Sequence, residues 1–334
     1  MPSSIKDVAS HAGVSIATVS RVLSGKGYIS DEAKQTVQAA VKALGYRPNR
    51  VARSLRAQSS RVIGLVISDI RNPFFSEISR AVENTALAHG YSVMICNADE
   101  DPSKEARYLQ LMAEEKVAGI LLSPTRSGMK KLAEFTRNGP PIVLFDRKMS
   151  GAGIDSVVID NFDASYRLTC ALLDGGFQQI VGIFGAKSYT AEERIKGFHA
   201  AFEGRDQTPL SILRAPAFEE EGEKLAAQIR KLDPPADAIL CSSALLASGC
   251  YKALRQMGLR IPEDLGFACF DDPSWAAFVE SPVTVIRQPA PMIGQTAAEL
   301  LMKRIDDPTR SVSDICLTGE LVERETSRRV STPS

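Results

Sequence analysis

The chain has 334 residues, 44% of them hydrophobic and 24% charged, with 40 Lys/Arg balanced by 40 Asp/Glu. That size is a prior of two to three domains with real cores, which excludes disordered and collagen-like architectures. No apolar run approaches a membrane span, and the opening Met1-Pro2-Ser3-Ser4-Ile5-Lys6-Asp7 lacks a signal peptide's apolar core. The zero net charge is uneven. Residues 1–61 carry ten Lys/Arg against three Asp/Glu, leaving thirty against thirty-seven for the rest. A basic head on an acidic body suggests that the head meets a polyanion and the body does not.

Three short amphipathic segments open the chain. Ser4 can cap a first helix with Asp7 as its reciprocal partner, while Ile5, Val8, Ala9 and Ala12 form one face. Ala12-Gly13-Val14 breaks it, and Ser15 caps a second helix, Ile16 to Leu23, with Val19, Val22 and Leu23 inward. Ser24-Gly25-Lys26-Gly27 reads as a loop. Ser30, Asp31 and Glu32 then start a third helix with Ala33, Val37, Ala40, Val41 and Leu44 on one stripe. Helix, glycine turn, helix is the arrangement that sends a second helix into the DNA major groove. A trihelical packing module without a ligand is the rival reading.

On such a second helix Ile16, Ala17 and Thr18 face base edges, with Arg21 one turn on. Arg21 can pair with guanine, and Ile16 and Ala17 can pack on thymine methyls. Ser15, Ser20, Ser24 and Tyr28 are placed for phosphate contacts. Residues 47–56 add a second indication. Pro48 and Asn49 can start a helix too short to stand alone, with Arg50, Arg53 and Arg56 three apart and Val51 and Leu55 on another face. A plain linker does not need a leucine placed among so many arginines. An element that folds against DNA does, with arginines and Asn49 along the backbone and Leu55 as a minor-groove wedge.

Ile5-Lys6-Asp7-Val8-Ala9, Val14-Ser15-Ile16-Ala17-Thr18-Val19-Ser20-Arg21-Val22-Leu23, Leu44-Gly45-Tyr46-Arg47-Pro48-Asn49 and Ala52-Arg53-Ser54-Leu55 closely resemble the head and hinge of LacI/GalR-family transcriptional regulators. The likeness runs ungapped and continues to the end of the chain. It implies a hinge that orders only in a dimer on near-palindromic operator DNA, with Leu55 at the position of the intercalating leucine.

From residue 62 apolar runs alternate with helical stretches. Strands are expected at Val62–Ile67, Tyr91–Cys96, Val117–Leu122, Ile142–Phe145, Ile180–Phe184, Ala238–Cys241 and Phe267–Phe270. Helices are expected at Phe75–His89, Lys104–Glu115, Phe162–Gly175 and Leu245–Met257. That rhythm predicts parallel sheets covered on both faces, in two lobes because one core rarely holds so many residues. A ligand would then sit at the carboxyl ends of the strands, between the lobes. No Walker lysine loop, GxSxG elbow, HExxH pair or GxGxxG fingerprint occurs, and His11, His89 and His199 are scattered, so catalysis is not expected. Cys96, Cys170, Cys241, Cys250, Cys269 and Cys316 lie in apolar stretches without a CxxC pair. They read as buried thiols in a reducing cytoplasm, not disulfides or a zinc site. No cofactor is expected.

The body resembles the periplasmic sugar-binding fold that this family uses to sense effectors. The matching segments are Asp69-Ile70-Arg71-Asn72-Pro73-Phe74-Phe75, Phe145-Asp146-Arg147, Val158-Ile159-Asp160-Asn161, Glu193-Arg194-Ile195-Lys196-Gly197-Phe198, Phe270-Asp271-Asp272 and Thr284-Val285-Ile286-Arg287-Gln288-Pro289. By position, the resemblance implies effector contacts from Phe74, Arg147, Asp160, Arg194, Asp271 and Gln288, with Arg71, Lys187, Ser243 and Trp275 as further candidates. Asp160 and Asp271 could instead cap following helices, and Phe75 and Gly197 read as packing residues. Trp275 reads equally well as a lid over the ligand or as lobe packing.

Many relatives carry Asn-Asp where this chain has Ser243 and Ala244. With that carboxylate missing, the arginines tilt the expected site positive, toward an anionic sugar: an aldonate or ketogluconate first, a sugar phosphate second. A purine is disfavoured, since only Phe74 and Trp275 suggest aromatic faces. The whole is expected as an all-α helix-turn-helix head (1–46), a hinge (47–61) and a two-lobed α/β effector and dimerisation domain (62–334). Its lobes would hold about 62–160 plus 290–318 and about 162–287 plus 320–330. The expected activity is a cytoplasmic, homodimeric repressor released from operator DNA by its effector. Rival readings are a sugar-binding module without DNA function and an effector that acts as corepressor.

Overall fold

The computed structural model describes residues 3–24, 29–46, 60–125, 139–149, 153–186 and 188–329, together with Leu132, Phe135, Thr136 and Gly151. The chain divides into two compact units, Met1–Ser60 and Arg61–Ser334. In the first, helix α1 (Ile5–His11) opens on a reciprocal cap. Asp7 N donates to Ser4 Oγ at 3.4 Å, and Ser4 N donates back to Asp7 Oδ2 at 2.7 Å. Gly13, at φ +64°, takes the left-handed turn into α2 (Ile16–Ser24). Thr18 N donates to Ser15 Oγ at 3.1 Å, which caps that helix, and Ser30 caps α3 (Asp31–Ala43) through Ala33 N at 3.3 Å. Val8, Ala9, Ala12, Val19, Val37 and Ala40 are buried where the three helices meet.

The second unit begins with β1 (Val62–Ile67), α4 (Pro73–Ala88), β2 (Ser92–Asn97), α5 (Pro102–Glu114), β3 (Ile120–Leu122), β4 (Ile142–Phe145) and β5 (Asp155–Ile159). After β5 the chain builds a second sheet: α6 (Asn161–Asp174), β6 (Ile180–Gly185), α7 (Tyr189–Ala200), β7 (Ser211–Ala215), α8 (Glu219–Ile229) and β8 (Ala238–Cys241). It continues through α9 (Ala244–Gln256), β9 (Gly266–Phe270), α10 (Ser274–Phe278) and β10 (Thr284–Arg287). Helix α11 (Ala290–Asp306) and β11 (Asp314–Leu317) return to the first lobe, and β12 (Glu320–Val322) goes back to the second. The sheet orders are β11-β5-β4-β3-β1-β2 and β12-β10-β9-β8-β6-β7. Among the described residues every strand pair is parallel except β10 with β12.

All seven expected strands form, with β3 shorter than foreseen. β5, β7, β10, β11 and β12 were not among them. β7, β11 and β12 are sheet edges whose side chains are only partly buried, so they never needed a continuous apolar run. The chain crosses between lobes at 159–161, 287–290 and 317–320, and these crossings pack together. A Cβ on Gly319 would meet Ile286 Cγ2 at 2.9 Å, Asp160 N donates to Leu317 O at 3.0 Å, and Arg167 Nη2 donates to Gly319 O at 2.7 Å. Among the described residues no helix is long and apolar enough to cross a membrane, and no cluster of metal-ligating side chains forms. Four cysteines are buried as expected, but Cys170 is only half-buried and Cys316 is exposed on the edge strand β11.

Candidate functional site

The two lobes enclose a cavity of about 630 Å³ at the carboxyl ends of their strands. The lobes furnish it in matching ways. β4 and β9 each lie third in their sheet order, and each is followed by an aspartate in the left-handed region, Asp146 at φ +64° and Asp271 at φ +69°. Aspartate tolerates that backbone better than most residues, and the kink at the strand end turns both carboxylates toward the cavity. Burial pushes the Asp146 carboxyl up from its ordinary range, opposed by Arg147 and Arg194. Ser123 Oγ donates to Asp146 Oδ2 at 3.1 Å.

In the first lobe, Asn72 caps α4 through Phe74 N at 3.0 Å, so Phe74 and Phe75 enter the cavity wall on the first helical turn. Their rings stand edge-to-face with centroids 5.1 Å apart. Arg147 follows Asp146 and is buried. Its Nη1 donates to Glu100 Oε2 at 2.8 Å, its Nη2 donates to Glu100 Oε1, and its Nε lies 3.2 Å from Asp146 Oδ2. Burial works against this charge, yet Glu100 and Asp146 hold the guanidinium above its ordinary range.

In the second lobe, Arg194 on α7 is buried with its guanidinium carbon 3.8 Å from the centroid of the Phe270 ring. Its Nε donates to Asn161 Oδ1 at 2.7 Å and its Nη1 to Ser242 O at 2.5 Å. Burial lowers its pKa to about 10, which leaves it charged at neutral pH. Asp271 accepts from Ala244 N at 3.1 Å and from Gln288 Nε2 at 2.6 Å. Ser243 lines the cavity but spends its hydroxyl as the cap of α9, accepting from Leu246 N at 3.3 Å.

Of the residues named from sequence, Phe74, Arg147, Arg194, Ser243, Asp271 and Gln288 thus line one cavity. Asp160 does not. It is exposed and caps α6, accepting from Asp163 N at 2.9 Å, the capping role open to any aspartate before a helix. Trp275 packs on Tyr251, centroids 5.3 Å apart, against the second-lobe core, so the packing reading replaces the lid. Arg71 does not line the cavity. Its guanidinium is held by Asp69, with Nε to Oδ1 at 3.0 Å and Nη2 to Oδ2 at 2.8 Å, and lies 4.6 Å from the centroid of the Phe218 ring on the other lobe. Lys187, Tyr28, Asn49, Arg50, Arg53 and Leu55 lie outside the described residues, as does the Ser24 side chain.

The expected positive tilt does not show among the described residues. Four carboxylates line the cavity, Asp69, Glu100, Asp146 and Asp271, against the two arginines Arg147 and Arg194 among the described residues. Sequence reasoning missed Glu100 because its role comes from tertiary contact with Arg147, 47 positions away. It missed Phe218, an isolated aromatic before an acidic helix, which gives the cavity a ring from the second lobe.

In the head, considered by itself, Ser15, Ile16, Ala17 and Arg21 are exposed along one side of α2, with Thr18 and Ser20 half-buried beside them. The first turn of α2 holds no acidic residue, so its positive end is open to an anion. The Ser15 and Thr18 hydroxyls lie 2.9 Å apart and hydrogen-bond to each other.

Two family descriptions match the chain: "Bacterial regulatory proteins, lacI family" over residues 4–49, and "Periplasmic binding proteins and sugar binding domain of LacI family" over residues 60–331. The chain is 38% identical over 325 residues to the ribose operon repressor of Halalkalibacterium halodurans, covering 97% of each. It is 32% identical over 336 residues to the transcriptional repressor PurR of Mannheimia succiniciproducens, covering 98% of this chain and 99% of that one. In fold it is similar to the lac repressor dimer bound to operator and the anti-inducer ONPF, at a TM-score of 0.88 and 24% identity, covering 98% of this chain and all of that one. A LacI-family regulator from Enterococcus faecium with bound ribose matches 81% of this chain and all of its own at a TM-score of 0.72 and 27% identity. The chain belongs to the LacI family, a DNA-binding transcriptional regulator, not an enzyme, under the control of a small-molecule effector.

Proposed function

We propose that this regulator is a homodimeric repressor, acting in the cytoplasm where its operator DNA lies, and that a neutral monosaccharide in the cleft releases it. The observation that carries the effector class is how the charged groups of the cavity pair. Four carboxylates face two arginines, and Arg147 already spends both Nη groups on Glu100. A sugar acid or sugar phosphate would have to displace a carboxylate already seated on the Arg147 fork. A polyol would not, because carboxylates, arginines and the Gln288 amide bind hydroxyl pairs while Phe74 and Phe218 cover the apolar face of the ring. Similarity to a ribose operon repressor and to a ribose-bound regulator makes a pentose the first sugar to try. Arg194, Asp271 and Gln288 would hold its hydroxyls, joined by the one Nη2 proton of Arg147 that its bond to Glu100 does not use.

A purine is the second reading. It is favoured by aromatic rings on both lobes, Phe74 and Phe75 on one and Phe218 on the other, and by the similarity to PurR.

On DNA, Ile16, Ala17, Thr18 and Arg21 of each head would read base edges, and Ser15, Ser20, Ser24 and Tyr28 would hold phosphates. Residues 47–61, with Asn49, Arg50, Arg53 and Leu55, would form the hinge at the centre of a near-palindromic site. The test is a thermal-shift panel of pentoses, hexoses, aldonates, ketogluconates, sugar phosphates and purines, followed by operator titration with each hit. A saturating ligand at 100 times its Kd stabilises by about 2.7 kcal/mol. The expected hit is a neutral sugar that also weakens operator binding. A response confined to anions, or an effector that strengthens operator binding, overturns this reading.

A further inference from the structure

Glu100 stands out because the chain takes trouble to hold it. Asp99 and Glu100 are consecutive non-glycine residues in the left-handed region, at φ +52° and +56°. Such a pair persists only where its surroundings fix it. Here Glu100 N donates to Ser68 O at 3.1 Å, Asn97 Nδ2 donates to Asp99 Oδ1 at 2.7 Å, and Lys104 Nζ donates to Asp99 Oδ2 at 2.5 Å. One residue later, Asp101 caps α5 through Ser103 N at 2.8 Å. The loop is therefore pinned on both sides of Glu100, and both carboxylate oxygens reach the two Nη groups of Arg147 across the cavity wall.

Such a fork-to-fork pair occupies the donors with which an arginine would otherwise clasp a planar carboxylate or a phosphate. We propose that Glu100 is a specificity-determining residue: it occupies the Arg147 guanidinium in place of an anionic ligand, and so restricts the cleft to uncharged effectors. This inference rests on the neutral-effector reading for its biological meaning, but its chemistry stands apart from which sugar is sensed. The side chain of Glu100 is 37% exposed against 9% for Arg147, so the carboxylate reaches the pair from the solvent side.

The experiment compares the full-length protein with Glu100→Gln and Glu100→Ala, titrated calorimetrically with ribose and with ribonate, which shares most of its hydroxyls and adds a carboxylate. Thermal unfolding of each variant without ligand controls for folding. The expected result is a gain of at least tenfold in ribonate affinity in both variants, screened by added salt, and a gain at least as large in the ratio of ribonate to ribose affinity. Ribonate binding that is unchanged in both folded variants, or already tight in the parent protein, overturns the proposal. If the parent ignores ribose while the variants gain ribonate, the pentose assignment fails and the role of Glu100 stands.

Discussion

Replacing Asp271 with asparagine separates what this residue does for the fold from what it does for the effector. Its two oxygens accept from Ala244 N and Gln288 Nε2. Asparagine keeps one acceptor for Ala244, and its amide can donate to Gln288 once that side chain rotates to offer its own oxygen. Two charge-assisted hydrogen bonds thereby become neutral ones, a loss of about 1 kcal/mol each. We expect a fall in stability of about 2 kcal/mol, or roughly 4–8 °C in Tm. The effector loses more. A carboxylate that accepts from two hydroxyls becomes a single neutral acceptor with a donor beside it, worth about 1.5–3 kcal/mol, or roughly 10- to 150-fold in affinity. Operator affinity without effector should stay unchanged, because Asp271 belongs to the second compact unit and the helix-turn-helix to the first. Calorimetry, thermal unfolding and operator titration read the three quantities in one preparation. Effector affinity equal to that of the parent, in a variant with the expected Tm, would refute the assignment of Asp271 to the effector.

Other residues give shorter tests. Arg71→Ala removes a cation–π contact reaching Phe218 from the opposite lobe; at about 0.5–1 kcal/mol it should speed effector release roughly two- to fivefold in stopped flow, and an unchanged rate denies the contact any role in closure. Gly197→Ala would set a Cβ 2.1 Å from Phe162 O, forcing α7 off α6; a loss of about 1–3 kcal/mol is expected, with weaker effector binding because Arg194 lies one turn earlier, and a normal Tm would contradict the packing. Asp146→Asn tests the pH response. Burial holds the Asp146 carboxyl above its ordinary range, so its contribution to stability is present at low pH and is lost as pH rises through the folded value. The asparagine variant should therefore gain Tm relative to the parent between about pH 4 and pH 7. A relative loss over that range would mean that pairing with Arg147 outweighs burial.

The head was legible in sequence because its elements are local. Ser4, Ser15 and Ser30 sit immediately before apolar periodicities, and each caps the helix that follows it. The parallel sheets were legible because buried strands such as Ile142–Phe145 are apolar throughout. The edge strands β7, β11 and β12 were not, since a strand with one open side can carry Ser211 or Asp314 without cost to the core. Positions in the cleft could be carried over one by one, but their electrostatics could not. Arg147 looked like a free cation until the fold brought Glu100 against it. Asp160 and Asp271 follow strands alike, yet only the second has the left-handed backbone that turns its carboxylate inward. No pattern of residue types encodes that difference.

The same geometry limits how an effector can act. The lobes are joined at three crossings, packed so closely at Gly319 that a methyl group would collide with Ile286. Such a junction favours rotation of the lobes about one place over sliding between them. A ligand shifts that rotation only by its difference in affinity for the two arrangements, and a hundredfold change in operator affinity requires about 2.7 kcal/mol of such difference. One charge-assisted hydrogen bond gained on closure supplies nearly all of it. The difference must come from groups on opposite walls, Asp146 and Arg147 on one side and Arg194 and Asp271 on the other. A ligand held by one wall alone would fill the cavity and bind well, yet leave the balance between the arrangements where it was. Bridging the walls, more than tight binding, is what the cleft demands of its effector.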